Sequence, residues 1–151
     1  MFELQEVDYH HYFEFLPLSL GYVRDYHLKM HLYTLPDTSL YETLTPTILK
    51  GIDGYVFVSD ARIEAMAENI DSYKEVKRLL ASEGYHVGSL PRVIQYNKMD
   101  LDSLVPINIL RQELNPGKMP DCEAIAKESK GTFETLLMIT KLVLDQLTTS
   151  V

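Results

Sequence analysis

Apolar and polar positions repeat with two different periods along this chain, and the change of period divides it. In the first third, Tyr12 to Leu20 reads as a largely apolar extended strand ending at Gly21. Leu28 to Tyr33 reads as a second strand, alternating with Lys29 and His31. The short link through Gly21 and Asp25 predicts an antiparallel hairpin. From Gly54 the pattern changes. Tyr55-Val56-Phe57-Val58 is a short continuous apolar run, as a parallel strand buried on both faces requires. Asp60 is placed to cap the next helix. Ile63, Met66, Ile70, Tyr73, Val76 and Leu80 then recur at helical spacing, with Gly84 as the stop.

Pro91 opens the next strand, through Tyr96, and a short helix is predicted from Pro106 to Leu114, ended by Asn115-Pro116-Gly117. Cys122 to Ala126 is a short candidate strand. Gly131 to Leu147 reads as the last helix, with Phe133, Leu136, Leu137, Thr140, Leu144 and Leu147 on one face. Between Ser39 and Lys50, Pro46 forbids a continuous helix, and Thr45 as N-cap with Pro46 in the first turn gives a shorter one. Strand–helix alternation of this kind predicts an α/β fold: a mostly parallel sheet with helices on both sides and an antiparallel edge hairpin, in a single domain over residues 1–151.

Composition narrows the partners. A length of 151 residues supports one domain with a real core, and 46% hydrophobic with 24% charged residues describes an ordinary globule. The formal charge of −8 argues against a phosphate-backbone surface and an anionic membrane face. The single cysteine, Cys122, excludes an internal disulfide and fits a reducing compartment; it reads as a small core residue. No run of 18 apolar residues exists, and the acidic start Met-Phe-Glu-Leu-Gln-Glu lacks signal-peptide character, so a cytoplasmic location is expected.

The chemistry is concentrated in Asn97-Lys98-Met99-Asp100, which follows the apolar run Val93-Ile94-Gln95-Tyr96 and so sits where a strand ends. An N-K-x-D tetrad there suits guanine. A carboxylate on Asp100 accepts two hydrogen bonds from the N1 and N2 edge, whereas adenine leaves that carboxylate unpaired, which is costly when buried. The stem of Lys98 can cover a ring face, and Asn97 can pin the loop. No G-x-x-x-x-G-K-[ST] phosphate loop occurs among the 151 residues.

Three further stretches join that tetrad in a resemblance. They are Phe13 to Gly21, His31-Leu32-Tyr33-Thr34-Leu35-Pro36, and Ile48 to Val58; with Tyr96 to Leu101 they resemble the MglA family, bacterial Ras-like GTPases of gliding motility and cell polarity. The resemblance implies a three-layer P-loop NTPase fold. It covers nearly all of this chain but not the family's first strand, phosphate loop and first helix. In that fold the first strand lies between the hairpin and the Tyr55–Val58 strand. Its place is filled by the hairpin closing on that strand, by a strand from another chain, or by an upstream segment.

The departures fall on chemistry. Where the family has Pro-Gly-Gln at the second switch, after Thr34, this chain has Pro36-Asp37-Thr38. Asp37 brings a carboxylate towards the γ-phosphate, and Thr38 is too short to orient the attacking water. At the first switch Tyr9-His10 stand where the family has Arg-Thr. Ala126-Lys127 correspond to the loop that supports the base. Charge-assisted hydrogen bonds are worth about 1.5–3 kcal/mol each, so four missing from a phosphate loop remove roughly 6–12 kcal/mol.

The resemblance therefore implies weak binding of GTP or GDP at Asn97, Lys98, Asp100, Ala126 and Lys127. Magnesium enters only with nucleotide, there is no catalytic residue, and a Roadblock-type, MglB-like regulator is the partner. The expected function is a hydrolysis-deficient regulatory and interaction module. Its rivals are an active GTPase whose phosphate loop lies upstream or is supplied in trans, and an unrelated α/β binding domain. Tyr9, Tyr12, Tyr22, Tyr26 and Tyr33 fall in or near the hairpin and suit an interaction face. His10 and His11 point to opposite faces of a strand, and His27 and His31 share a face only in a helix, so no metal site is assigned. The acidic stretch from Glu64 to Glu75 reads as a solvated helix face.

Overall fold

A computed structural model describes residues 15–23, 25–35 and 46–149. The chain divides into two compact units, Met1–Gly51 and Ile52–Val151. In the first, β1 (Phe15–Val23) and β2 (Tyr26–Tyr33) form the expected antiparallel hairpin. β1 does not end at Gly21 as the pattern suggests. The register slips between Ser19 and Gly21, and Gly21, at φ +83°, takes the left-handed conformation of a bulge and lets the strand run on. Residues 12–14 of the predicted strand lie outside the described residues. Phe15 packs on Tyr33 and His31, with ring centroids 4.9 and 5.3 Å away. Tyr22 stacks on His27, whose Nε2 lies 2.8 Å from Ser19 Oγ. Residues 46–49 form a helical turn opened by Pro46, while Thr45 lies outside the described residues.

In the second unit, β3 (Tyr55–Asp60), β4 (Arg92–Asn97) and β5 (Asp121–Glu123) form a parallel sheet in the order β3-β4-β5. The helices are α1 (Met66–Ser82), α2 (Ile107–Leu114) and α3 (Thr132–Thr149). This is an α/β arrangement, with a parallel sheet in one unit and an antiparallel hairpin in the other. Among the described residues β3 is paired on one edge only. The core gathers Phe57, Tyr73, Ile94, Tyr96, Leu110 and Leu114 between the sheet and the helices α1 and α2. Phe57 and Tyr73 stack at 4.6 Å between centroids. Burial of each such side chain contributes about 1.5–3 kcal/mol. Arg111 on α2 grips Asp121 on β5 with two hydrogen bonds of 2.9 Å, which seats that helix on the sheet edge.

Four expectations need correction. Asp60 is not a helix cap: the helix is preceded by a 3₁₀ turn, Ile63–Ala65, with Arg62 in the N-cap position and no side-chain cap bond. Ile63, counted on the apolar helix face, lies in that turn and is exposed. The Cys122–Ala126 strand is shifted: pairing covers Asp121–Glu123, and Ala126–Glu128 is a 3₁₀ turn. On α3 the apolar face from Phe133 to Leu147 is not the buried one. Phe133 is 63% exposed, whereas Thr135 and Ile139 are 3% and 6% exposed. Gly131 decides that seam. It sits at φ +76°, and a Cβ there would lie 2.3 Å from the Glu123 carbonyl oxygen. The helix start is thereby pressed onto the end of β5, and Thr135, one turn on, donates to Gly131 O at 2.6 Å.

Candidate functional site

The carboxyl end of the parallel sheet is where open α/β sheets hold ligands, because strand ends and helix starts meet there. The register fixes which residues meet. Asp60 ends β3 opposite Asn97, which ends β4. Ala124 N–H donates to Tyr96 O at 2.7 Å and carries β5 one residue further before the chain turns. The Ile125–Lys130 bridge closes the next loop, so Ala126 and Lys127 stand at its tip.

The Asn97-to-Asp100 tetrad lies at a strand end, as its sequence predicts, and it is anchored on both sides. Asn97 Oδ1 accepts the Ala126 N–H at 2.9 Å, and Asn97 O accepts the Ala61 N–H at 3.0 Å. Met99 N–H donates to Ala124 O at 3.1 Å. Between them Lys98 occupies the left-handed region at φ +67°. Such a conformation costs a non-glycine residue roughly 1–3 kcal/mol and persists only where neighbours impose it. Here the neighbours are those flanking bonds and an ion pair, Lys98 Nζ to Asp60 Oδ2 at 2.8 Å.

Asp60, Arg62 and Asn69 were missed as site residues. The Asp60 carboxylate also takes Arg62 Nη2 at 2.6 Å and Nε at 3.0 and 3.1 Å, and the Arg62 backbone N–H at 3.1 Å. Arg62 in turn pairs with Glu64. From α1, the buried Asn69 closes a two-way clasp on the Asp60 backbone, accepting its N–H at 3.0 Å and donating to its carbonyl at 2.7 Å. The Arg62 guanidinium first, and then the Lys98 ammonium, hold the Asp60 carboxyl well below the usual carboxylate range. The one sequence signal was a polar residue directly after the apolar run of β3. Its meaning depends on a parallel register that no local pattern states.

Asp100 faces Lys127 from the neighbouring loop in a direct ion pair. That lysine holds the Asp100 carboxyl below its ordinary value, and the carboxylate holds the Lys127 ammonium above its own. The structure thus brings together Asn97, Lys98, Asp100, Ala126 and Lys127. Of the switch positions, Thr34 follows β2 in the first unit, and Tyr9, His10, Asp37 and Thr38 lie outside the described residues. Among the described residues no group of three or more His, Cys, Asp or Glu side chains is placed to hold a metal ion. Cys122 is half-buried, with Sγ 3.4 Å from Gly131 O.

No protein-family model matches the chain. It is 43% identical over 142 residues to mutual gliding-motility protein MglA of Myxococcus xanthus (strain DK1622), covering 94% of this chain and 73% of that protein. The chain belongs to the MglA family of small GTPases. Guanine nucleotide with magnesium is the ligand that such a family implies. The corner fits the base: a carboxylate acceptor on Asp100 and the apolar stems of Lys98 and Lys127, on a loop fixed by the Ala126 N–H bond to Asn97. No helix among the described residues is long and apolar enough to cross a membrane.

Proposed function

We propose that this chain is a guanine-reading interaction module of the MglA family that does not hydrolyse GTP, acting in the cytoplasm and docking a Roadblock-type, MglB-like regulator through its hairpin. One observation carries the reading of the base: Asp100, at the end of the strand bearing Asn97 and Lys98, stands against Lys127 of the loop whose Ala126 N–H is fixed by Asn97. A purine with a two-donor edge matches that carboxylate; adenine does not. When bound, the nucleotide supplies the magnesium-dependent phosphate chemistry. This chain's residues orient and select the base.

Loss of turnover is supported by sequence. Hydrolysis is almost wholly positioning and charge stabilisation. Asp37 and Thr38 stand where the family has Gly-Gln, and Tyr9-His10 where it has Arg-Thr. The docking face is supported by Tyr22 and Tyr26, exposed to 75% and 74%, with Tyr33 also exposed. Aromatic residues exposed along a strand pair suit a protein partner.

Calorimetric titration of the purified chain with GTP, GDP and ADP, with and without magnesium, tests both parts. The expected result is weak binding selective for guanine, with Kd roughly 0.1–1 mM, lost in Asp100→Ala, and no phosphate release. Sub-micromolar binding or steady turnover defeats the module reading. Turnover restored by a separate strand–loop–helix peptide carrying G-x-x-x-x-G-K-[ST] favours part of an active GTPase instead.

A further inference from the structure

The tetrad alone does not explain its own geometry. Lys98 carries a side chain at φ +67°, yet two of the residues meant to touch the base, Asn97 and Asp100, flank that turn. The turn needs a fixed point outside itself. Asp60 supplies it: its backbone is clasped by the buried Asn69 of α1, and its carboxylate, which also takes Arg62, reaches Lys98 Nζ at 2.8 Å. We propose that Asp60 is a positioning residue for guanine recognition, holding the Lys98 ammonium so that the left-handed turn forms and Asn97 and Asp100 present their side chains to the base. This rests on the reading of residues 97–100 as the guanine corner.

The chemistry separates two jobs within one carboxylate. Towards Arg62 it accepts several hydrogen bonds, which a neutral amide partly reproduces. Towards Lys98 it offers a single charged contact from the adjacent strand, which a neutral amide weakens most. Asp60→Asn therefore keeps the shape of the site and loosens the lysine. Arg62→Gln does the reverse, because the Asn69 clasp and the Asp60–Lys98 pair both remain.

Two measurements on the full chain test this. The first is amide hydrogen exchange in the absence of nucleotide. Asp60→Asn is expected to raise exchange at Met99 and Leu101, whose N–H groups bond to Ala124 O and Lys98 O, by about tenfold. Ile94, in the core of β4, stays within about twofold, and Arg62→Gln leaves Met99 within about twofold. Unchanged protection at Met99 in Asp60→Asn overturns the proposal. The second is GDP titration as a double-mutant cycle. Asp60→Asn weakens GDP by about tenfold in the wild-type background and by less than about twofold with Lys98→Met. Equal losses in both backgrounds overturn the positioning role and make Asp60 merely structural. If the wild-type chain binds no GDP while exchange at Met99 still responds, the guanine reading fails and the anchoring of the turn stands.

Discussion

β2 and β4 are both rich in apolar residues, yet one lies open and the other is sealed. β4 buries four consecutive residues, Val93 to Tyr96, under helices, whereas β2 alternates exposed and half-buried positions along its length. The difference lies in what each strand has for neighbours. β4 is central in its sheet and is paired on both edges by parallel strands. Among the described residues β2 has one partner, in a register pinned by a bulge. A two-stranded hairpin is marginal alone, so recognition that needs fixed geometry belongs at the end of β4. The docking surface proposed for a protein partner, which must adapt, falls on the hairpin.

The largest test of that division is Leu110→Ala. Leu110 is wholly buried in the core beneath β4, so its truncation is expected to cost about 2–5 kcal/mol in urea unfolding. An effect below about 1 kcal/mol would mean that the parallel unit is far looser than its packing. Next is Gly131→Ala. A Cβ there meets the Glu123 carbonyl at 2.3 Å and lies in the left-handed region, which implies a loss of about 1–3 kcal/mol and a weaker base-supporting loop. Full stability in that variant would show that the α3–β5 junction is free to shift.

Acid sharpens the comparison further. The Asp60 carboxyl titrates below its unfolded value, so its stabilisation is complete above about pH 5 and is lost as pH falls through the folded value. Asp60→Asn should therefore be less stable than the parent at pH 7, with the gap closing towards low pH. A gap independent of pH would remove charge from the explanation. The smallest expected effect is on the hairpin. Tyr26→Ala should change stability by less than about 0.5 kcal/mol, while weakening capture of a Roadblock-type regulator in a binding assay. Unchanged capture would take Tyr26 out of the docking face.

The parallel unit was legible because its strands read as short apolar runs, and the tetrad was legible because it follows one of them; only β4 is sealed on both faces, however, and Val58 of β3 is 53% exposed. The last helix was misread for a physical reason. Phe133 and Leu137 carry the hydrophobic signal but are exposed, while the buried seam runs through Gly131, Thr135 and Ile139. Small residues mark close backbone approach there, and periodicity of apolar residues cannot see it. The shift of β5 has a similar origin: Ala124 and Ile125 match a strand in character, but the bridge from Ile125 to Lys130 turns the chain away. Asp60 was invisible as an anchor because its partner is 38 positions away in sequence and reaches it only through the parallel register.

The ion pair between Asp100 and Lys127 means that the carboxylate proposed to read the base is already occupied before any base arrives. Added electrolyte screens such an exposed pair within a Debye length of about 8–10 Å. Uncharged guanosine, which gives up no phosphate attraction in return, should then bind more strongly as ionic strength rises, opposite to the trend for an anionic ligand. Titrating the nucleoside from dilute buffer into concentrated salt would reveal that inverted dependence, and Lys127→Ala should abolish it.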